Sequence, residues 1–192
     1  VAKEVWAAGA AGLLMHWDGH SWASPRKDSG VPGTVSYYSL WGSSSQSLWT
    51  VGELGTILHF DGQRWQQQTS GTTEWLYSIW GSDDTHLWAV GEDGPLHRYN
   101  GRLWTREPLA TQMTFYAVWG SSSQDVWAVG YGDSAWHFDG TRWSSVPLPQ
   151  SGLLSSLWGS SAQDLWAVGY DFAGKAGVIW HYDVARWVRY HS

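Results

Sequence analysis

The chain has 192 residues, 43% of them hydrophobic and 15% charged, which is enough apolar content for a buried core and argues against a disordered segment. A formal net charge of -6, with 11 Lys and Arg that form no cluster, argues against a nucleic-acid backbone binder, because such a surface needs a basic stripe. There is no cysteine, so disulfides and thiolate metal centres are excluded, and no apolar run approaches the roughly 20 residues of a membrane-spanning helix.

In chain order the sequence repeats itself. The first unit, 1–36, carries Trp6 with Gly9, then His16, then Asp18-Gly19 with Trp22. The second, 37–75, opens on Trp41-Gly42 and continues through Trp49 with Gly52, His59, and Asp61-Gly62 with Trp65. The third, 76–114, has Trp80-Gly81, Trp88 with Gly91, His97, and Asn100-Gly101 with Trp104. The fourth, 115–153, has Trp119-Gly120, Trp127 with Gly130, His137, and Asp139-Gly140 with Trp143. The fifth, 154–192, has Trp158-Gly159, Trp166 with Gly169, His181, and Asp183-Val184 with Trp187. Successive Trp-Gly pairs stand 39 residues apart, and these three markers absorb fourteen of the 18 tryptophans.

Within a unit the apolar runs are about four residues long, β-branched or aromatic, and separated by Gly-Ser, Asp-Gly or Asn-Gly turns. Four such runs per period predict an all-β chain: a β-propeller of about five four-stranded blades in a single domain. The strands are a (Trp-Gly), b (Trp-x-x-Gly), c (the histidine strand) and d (after Asp-Gly-x-x-Trp). A twisted four-stranded sheet cannot bury both faces alone, so blades stack radially with tryptophan between them. The first blade is incomplete, since the chain enters it at strand b and ends inside strand d of the fifth: either that blade has three strands or the chain is a segment of something larger, and a five-bladed ring with an imperfect seam is the expectation.

The repeated polar residues read as scaffold. Asp18, Asp61 and Asp139 stand where an Asx side chain accepts hydrogen bonds from turn amides beside a glycine. His16, His59, His97, His137 and His181 are read as one recurring position of strand c, an imidazole hydrogen-bonded under the hairpin rather than a metal ligand. Arg64, Arg142 and Arg186, each before a framework tryptophan, are read as hairpin packing, with a guanidinium stacked on a ring. No metal or cofactor is expected.

Asp61-Gly62-Gln63-Arg64-Trp65 resembles a shortened Asp-box, the hairpin of bacterial neuraminidase repeats and of propellers similar to the photosystem II assembly factor. Trp158-Gly159-Ser160-Ser161 followed by Leu165-Trp166-Ala167-Val168-Gly169 resembles the repeats of exported bacterial propellers. Asn100-Gly101-Arg102-Leu103-Trp104-Thr105-Arg106-Glu107-Pro108 is similar to the tectonin repeat of sugar-binding lectins. These likenesses imply a secreted or extracytoplasmic protein. Val1-Ala2-Lys3-Glu4 opens no signal peptide, so a leader is expected to be removed or to lie outside this sequence.

The units differ at one end only. The a–b and c–d loops are near-copies, whereas the b–c and d–a connections diverge, and variable loops on a rigid scaffold are where recognition resides. Four tryptophans lie outside the markers. Trp17, Trp136 and Trp180 fall where other units carry bulky core residues; Trp75 falls in a divergent loop. Trp75, Tyr131, Tyr170 and Phe172 offer flat rings to a sugar, and Glu92, Asp93, Asp133 and Asp171 offer acceptors to its hydroxyls. The expectation is a non-enzymatic, lectin-like module. The alternative is an extracytoplasmic protein-interaction or assembly scaffold. A glycoside hydrolase is remote, since no repeat breaks its pattern to seat a catalytic acid pair.

Overall fold

The computed structural model describes residues 4–24, 31, 33–94, 96–109 and 111–190. The opening Val1-Ala2-Lys3 and the closing His191-Ser192, on which the expected seam depends, lie outside the described residues. Seventeen antiparallel strands are described, in four sheets. The first holds β1 (Val5–Ala8), β2 (Leu14–Trp17) and β3 (Trp22–Ala23). The second is β4 (Tyr37–Ser44), β5 (Ser47–Gly52), β6 (Ile57–Phe60) and β7 (Trp65–Gln68), with one 3-10 turn at Glu53–Gly55. The third is β8 (Leu76–Asp83), β9 (His86–Gly91), β10 (Leu96–Tyr99) and β11 (Trp104–Glu107).

The last sheet departs from the expected five separate blades. It has six strands: β12 (Phe115–Ser122), β13 (Asp125–Phe138), β14 (Trp143–Ser161), β15 (Asp164–Asp171), β16 (Ala176–Tyr182) and β17 (Trp187–Tyr190). β14 runs from strand d of the fourth unit into strand a of the fifth, because Tyr131 and Gly132 of β13 pair with Leu153 and Gly152. That ladder takes up the segment expected to be a loop. At the junction of the second and third units the equivalent approach is a hydrogen bond from the Gly55 amide to the Glu74 carbonyl, 2.8 Å, and the sheets stay separate.

The core lies in the seams. Trp49, Val51 and Ile57 pack against Leu76, Ile79, Ala89 and Trp104 of the next unit. Trp88 and Val90 meet Phe115, Val118 and Phe138, and Trp127 and Val129 meet Leu157, Trp180 and Trp187. Leu14 of the first sheet packs with Tyr37, Leu48 and Trp65 of the second. Removing one such indole costs about 3–5 kcal/mol. Among the described residues no core cluster joins the fifth unit to the first.

The two glycine markers mark close approach. A Cβ on Gly52, Gly91, Gly130 or Gly169 would overlap the carbonyl oxygen of Ser36, Trp75, Thr114 or Leu153. In the Trp-Gly pairs the glycine receives the ring edge of the preceding unit: a Cβ on Gly81, Gly120 or Gly159 would stand 3.0, 2.6 or 2.8 Å from Trp41, Trp80 or Trp119. Trp158 is 60% exposed, so this framework tryptophan is not interblade packing here. Trp22, expected as framework, is also exposed.

Strand register corrects the histidine pattern. His16, His59, His137 and His181 stack on Trp6, Trp49, Trp127 and Trp166, with ring centroids 4.1–4.4 Å apart. In the third unit the residue opposite Trp88 is Arg98, not His97. Its guanidinium lies over Trp88, 5.4 Å from the ring centroid, so the stacking arginine is Arg98 rather than the hairpin arginines. His97 falls one residue earlier, opposite Ala89, in the place Leu58 holds opposite Thr50. It is fully buried, and neither ring nitrogen has a hydrogen-bond partner.

Candidate functional site

At the hairpin end of the blades the turn side chains are satisfied within their own turns. The Asp18, Asp61, Asn100 and Asp139 side chains each accept from two turn amides at 2.7–3.1 Å. Thr141 and those amides hold the Asp139 carboxyl down at about 2. His137 and His181 reach Asp125 and Asp164 at the start of strand b, both at 2.7 Å, and His59 reaches Ser47. The expected hydrogen-bonded imidazole is thus found at His59, His137 and His181, whereas the buried Nε2 of His16 and both ring nitrogens of His97 have no hydrogen-bond partner.

The opposite end carries a constellation that the sequence reading passed over. Each inner strand has an irregularity in its ladder, between Tyr37 and Ser39, Leu76 and Ser78, Phe115 and Ala117, and Leu154 and Ser156. The residues left out of the ladder are Tyr38, Tyr77, Tyr116 and Ser155. A bulge turns its extra side chain away from the pleat, so three tyrosines 39 residues apart form a row across β4, β8 and β12. Tyr38 and Tyr77 centroids are 5.4 Å apart, and Tyr77 and Tyr116 5.1 Å. Trp75 joins the row, 5.9 Å from Tyr38 and 6.4 Å from Tyr77.

Two carboxylates border these rings. The Tyr38 hydroxyl donates to Glu53 (3.1 Å) and the Tyr77 hydroxyl to Glu92 (2.8 Å). The Ser36 amide also donates to Glu53 and holds its carboxyl below the usual range. Burial, then Glu92, pushes the Tyr77 phenol up, so it stays a donor at neutral pH. The signal for this row was the recurrence of tyrosine three residues before the Trp-Gly pairs of the second, third and fourth units; the fifth has Ser155 there. Recurrence alone reads as scaffold, and only the bulge shows that the rings leave the core.

The predicted residues form two groups and three separate aspartates. Trp75 and Glu92 belong to the row just described. Tyr131, Tyr170 and Phe172 form a second aromatic group in the fourth and fifth units, with Phe172 5.7 Å from Tyr131 and 5.5 Å from Tyr170, all exposed. Asp133 is exposed in β13 and accepts from the Ser134 hydroxyl. Asp93, at φ 57°, lines a separate cleft of about 980 Å³ between the second and third units, with Ser70, Thr72, Glu74, Arg106 and Gln112. Asp171 is not available to a ligand. It is 2% exposed, pairs with Arg189 at 3.0 Å, and accepts from the Ala173 and Gly174 amides. A loop aspartate in a divergent segment looks free in sequence; here it caps its own turn.

No family model and no curated protein matches this chain. Solved structures do. A structure titled "YCF48 bound to D1 peptide" superposes with a TM-score of 0.71 at 19% identity, over 97% of this chain and 62% of that one. YCF48 from Cyanidioschyzon merolae gives 0.69 at 15% identity, over 95% and 66%. The extracellular domain of a one-component system of B. thetaiotaomicron, BT4673, gives 0.73 at 17% identity, over 97% of this chain and 26% of that one. The WD40 repeats of RRP9 match at 0.70 with 6% identity, over 98% and 62%. The likeness is one of fold: the chain is a β-propeller in architecture. It spans less than two thirds of the YCF48 chains it resembles.

Proposed function

We propose that this chain is a non-enzymatic interaction module that binds an extended segment of another protein across the b–c and d–a end of its blades. The observation that carries the reading is the row Tyr38–Trp75–Tyr77–Tyr116, which crosses three units with exposed ring surface at its Tyr38 and Trp75 end. Aromatic rings offer large contact area at low conformational cost, and they are enriched where proteins bind one another. A row across several blades fits a strand-like ligand better than a single small molecule. Support comes from the YCF48 fold neighbour, whose structure holds a D1 peptide. An extracytoplasmic setting is part of the proposal and is supported by the neighbour that is an extracellular domain.

A glycan is the second reading, favoured by the exposed Trp75 face and by the hydroxyl- and amide-lined cleft beside it. A peptide array and a glycan array probed in parallel with the intact chain separate the two. The expected result is peptide binding that falls about tenfold or more in Trp75→Ala, as for a truncated aromatic anchor, and persists in Asp139→Ala at the opposite end. Glycan binding with a silent peptide array would replace the reading by the lectin one.

A further inference from the structure

Resting on that reading, we infer that the segment bound at this face presents a basic side chain, lysine or arginine, to the pocket formed by Tyr38, Trp75 and Tyr77 with Glu53 and Glu92.

Three rings lie mutually within 6.4 Å, and Tyr38 and Trp75 remain 40% and 38% exposed. Ring faces carry negative charge density and attract cations within about 6 Å of the centroid. The two tyrosine hydroxyls are already committed as donors to the two carboxylates. What the pocket has left to offer is acceptor lone pairs, π faces and one neutral donor, the Trp75 indole N–H, with no phenolic donor to spare for an anion. Among the described residues no lysine or arginine forms an ion pair with Glu53 or Glu92. Arg106, the cation of the adjacent cleft, shares that cleft with Glu74 and Asp93, and the whole chain is acidic at -6. Charge complementarity thus selects a cation over an anion or a purely apolar side chain.

The neighbouring units make a contrast at the same structural position. The residue after the Trp-x-x-Gly glycine is Glu53, Glu92, Tyr131 and Tyr170 in successive units. The acidic positions coincide with the three-ring pocket, and the aromatic ones with the Tyr131–Phe172–Tyr170 group. A ligand crossing the face would set a basic residue over the second and third units and an apolar one over the fourth and fifth.

The experiment is selection of a random peptide library on the intact chain, keeping peptides whose binding is lost in Trp75→Ala. Each lysine or arginine of those peptides is then replaced by norleucine or citrulline. One such replacement is expected to weaken binding about tenfold, and Glu53→Gln with Glu92→Gln to do the same, since both remove the charge pairing. Binding should weaken with salt, and Tyr77→Phe, which keeps the ring, should preserve the preference for the cation. Selected peptides that need Trp75 but bind equally well with citrulline or norleucine would overturn this inference and leave the peptide-binding reading standing. A library that yields no Trp75-dependent binder would overturn both. Circular dichroism melts of each variant separate a lost contact from a lost fold.

Discussion

The two ends of the blades use the same kinds of residue to opposite effect. At the hairpin end a carboxylate is surrounded by its own turn: Asp139 takes the Thr141 hydroxyl and two backbone amides, and Asp125 takes His137. At the loop end Glu53 and Glu92 also accept hydrogen bonds, but from tyrosines whose ring faces border solvent. Histidine at the hairpin end lies flat on tryptophan inside the sheet, whereas tyrosine at the loop end is pushed off the ladder by a bulge. One end closes on itself and fixes the blade. The other leaves aromatic surface exposed and, among the described residues, two carboxylates outside any ion pair, and the proposed binding face rests on that difference.

The largest expected effect tests the framework that both ends share. Gly91→Ala places a methyl group against the Trp75 carbonyl, a backbone atom that cannot step aside, and should destabilise by about 3 kcal/mol or more in urea unfolding. It should also displace Trp75 and abolish binding at the loop end.

His97 comes next. Burial, followed by the nearby Arg106, lowers its pKa from 6.5 to about 4. The folded state therefore keeps the ring neutral, while the unfolded chain takes up a proton as the pH falls through 6.5. Stability is full above that value, declines between about 6.5 and 4 by roughly 3 kcal/mol, and levels off below. His97→Leu supplies the residue that Leu58 provides in the preceding unit, and should remove this decline when melts are compared at neutral and acid pH.

The paired comparison is gentler. Asp139→Ala should lower the melting temperature slightly and leave ligand binding alone. Trp75→Ala should do the reverse, with a stability change within about 1 kcal/mol for an exposed side chain. If both variants lost binding equally, the division between the two ends would fail. The smallest effect expected is on Asp133→Asn, an exposed acceptor outside the three-ring pocket, whose loss should change affinity little.

Much of the fold was legible because its markers are local. Asp-Gly turns, Trp-x-x-Gly strands and the 39-residue spacing each depend on contacts made within a unit or with its neighbour, and every unit repeats them. The site was less so. Trp75 and Glu92 stood out by divergence, and they do join one constellation. Tyr38, Tyr77 and Tyr116 were hidden by their regularity, since a side chain leaves the core only when its strand bulges, and a bulge has no signature in residue type. Asp171 erred in the other direction, because its partner Arg189 lies on a strand 18 residues later.

The amino-acid order by itself determined the all-β architecture, the repeat, and the Asx turns of the hairpin aspartates. Those follow from periodicity and from chemistry within a few residues. Tertiary structure decided which strands merge into one sheet, that Arg98 takes the histidine position of the third unit while His97 is buried unpartnered, and which rings reach solvent. These outcomes depend on register and on what the next unit brings alongside. Such long-range pairings are settled when the sheets pack, by geometry that no short stretch of sequence contains.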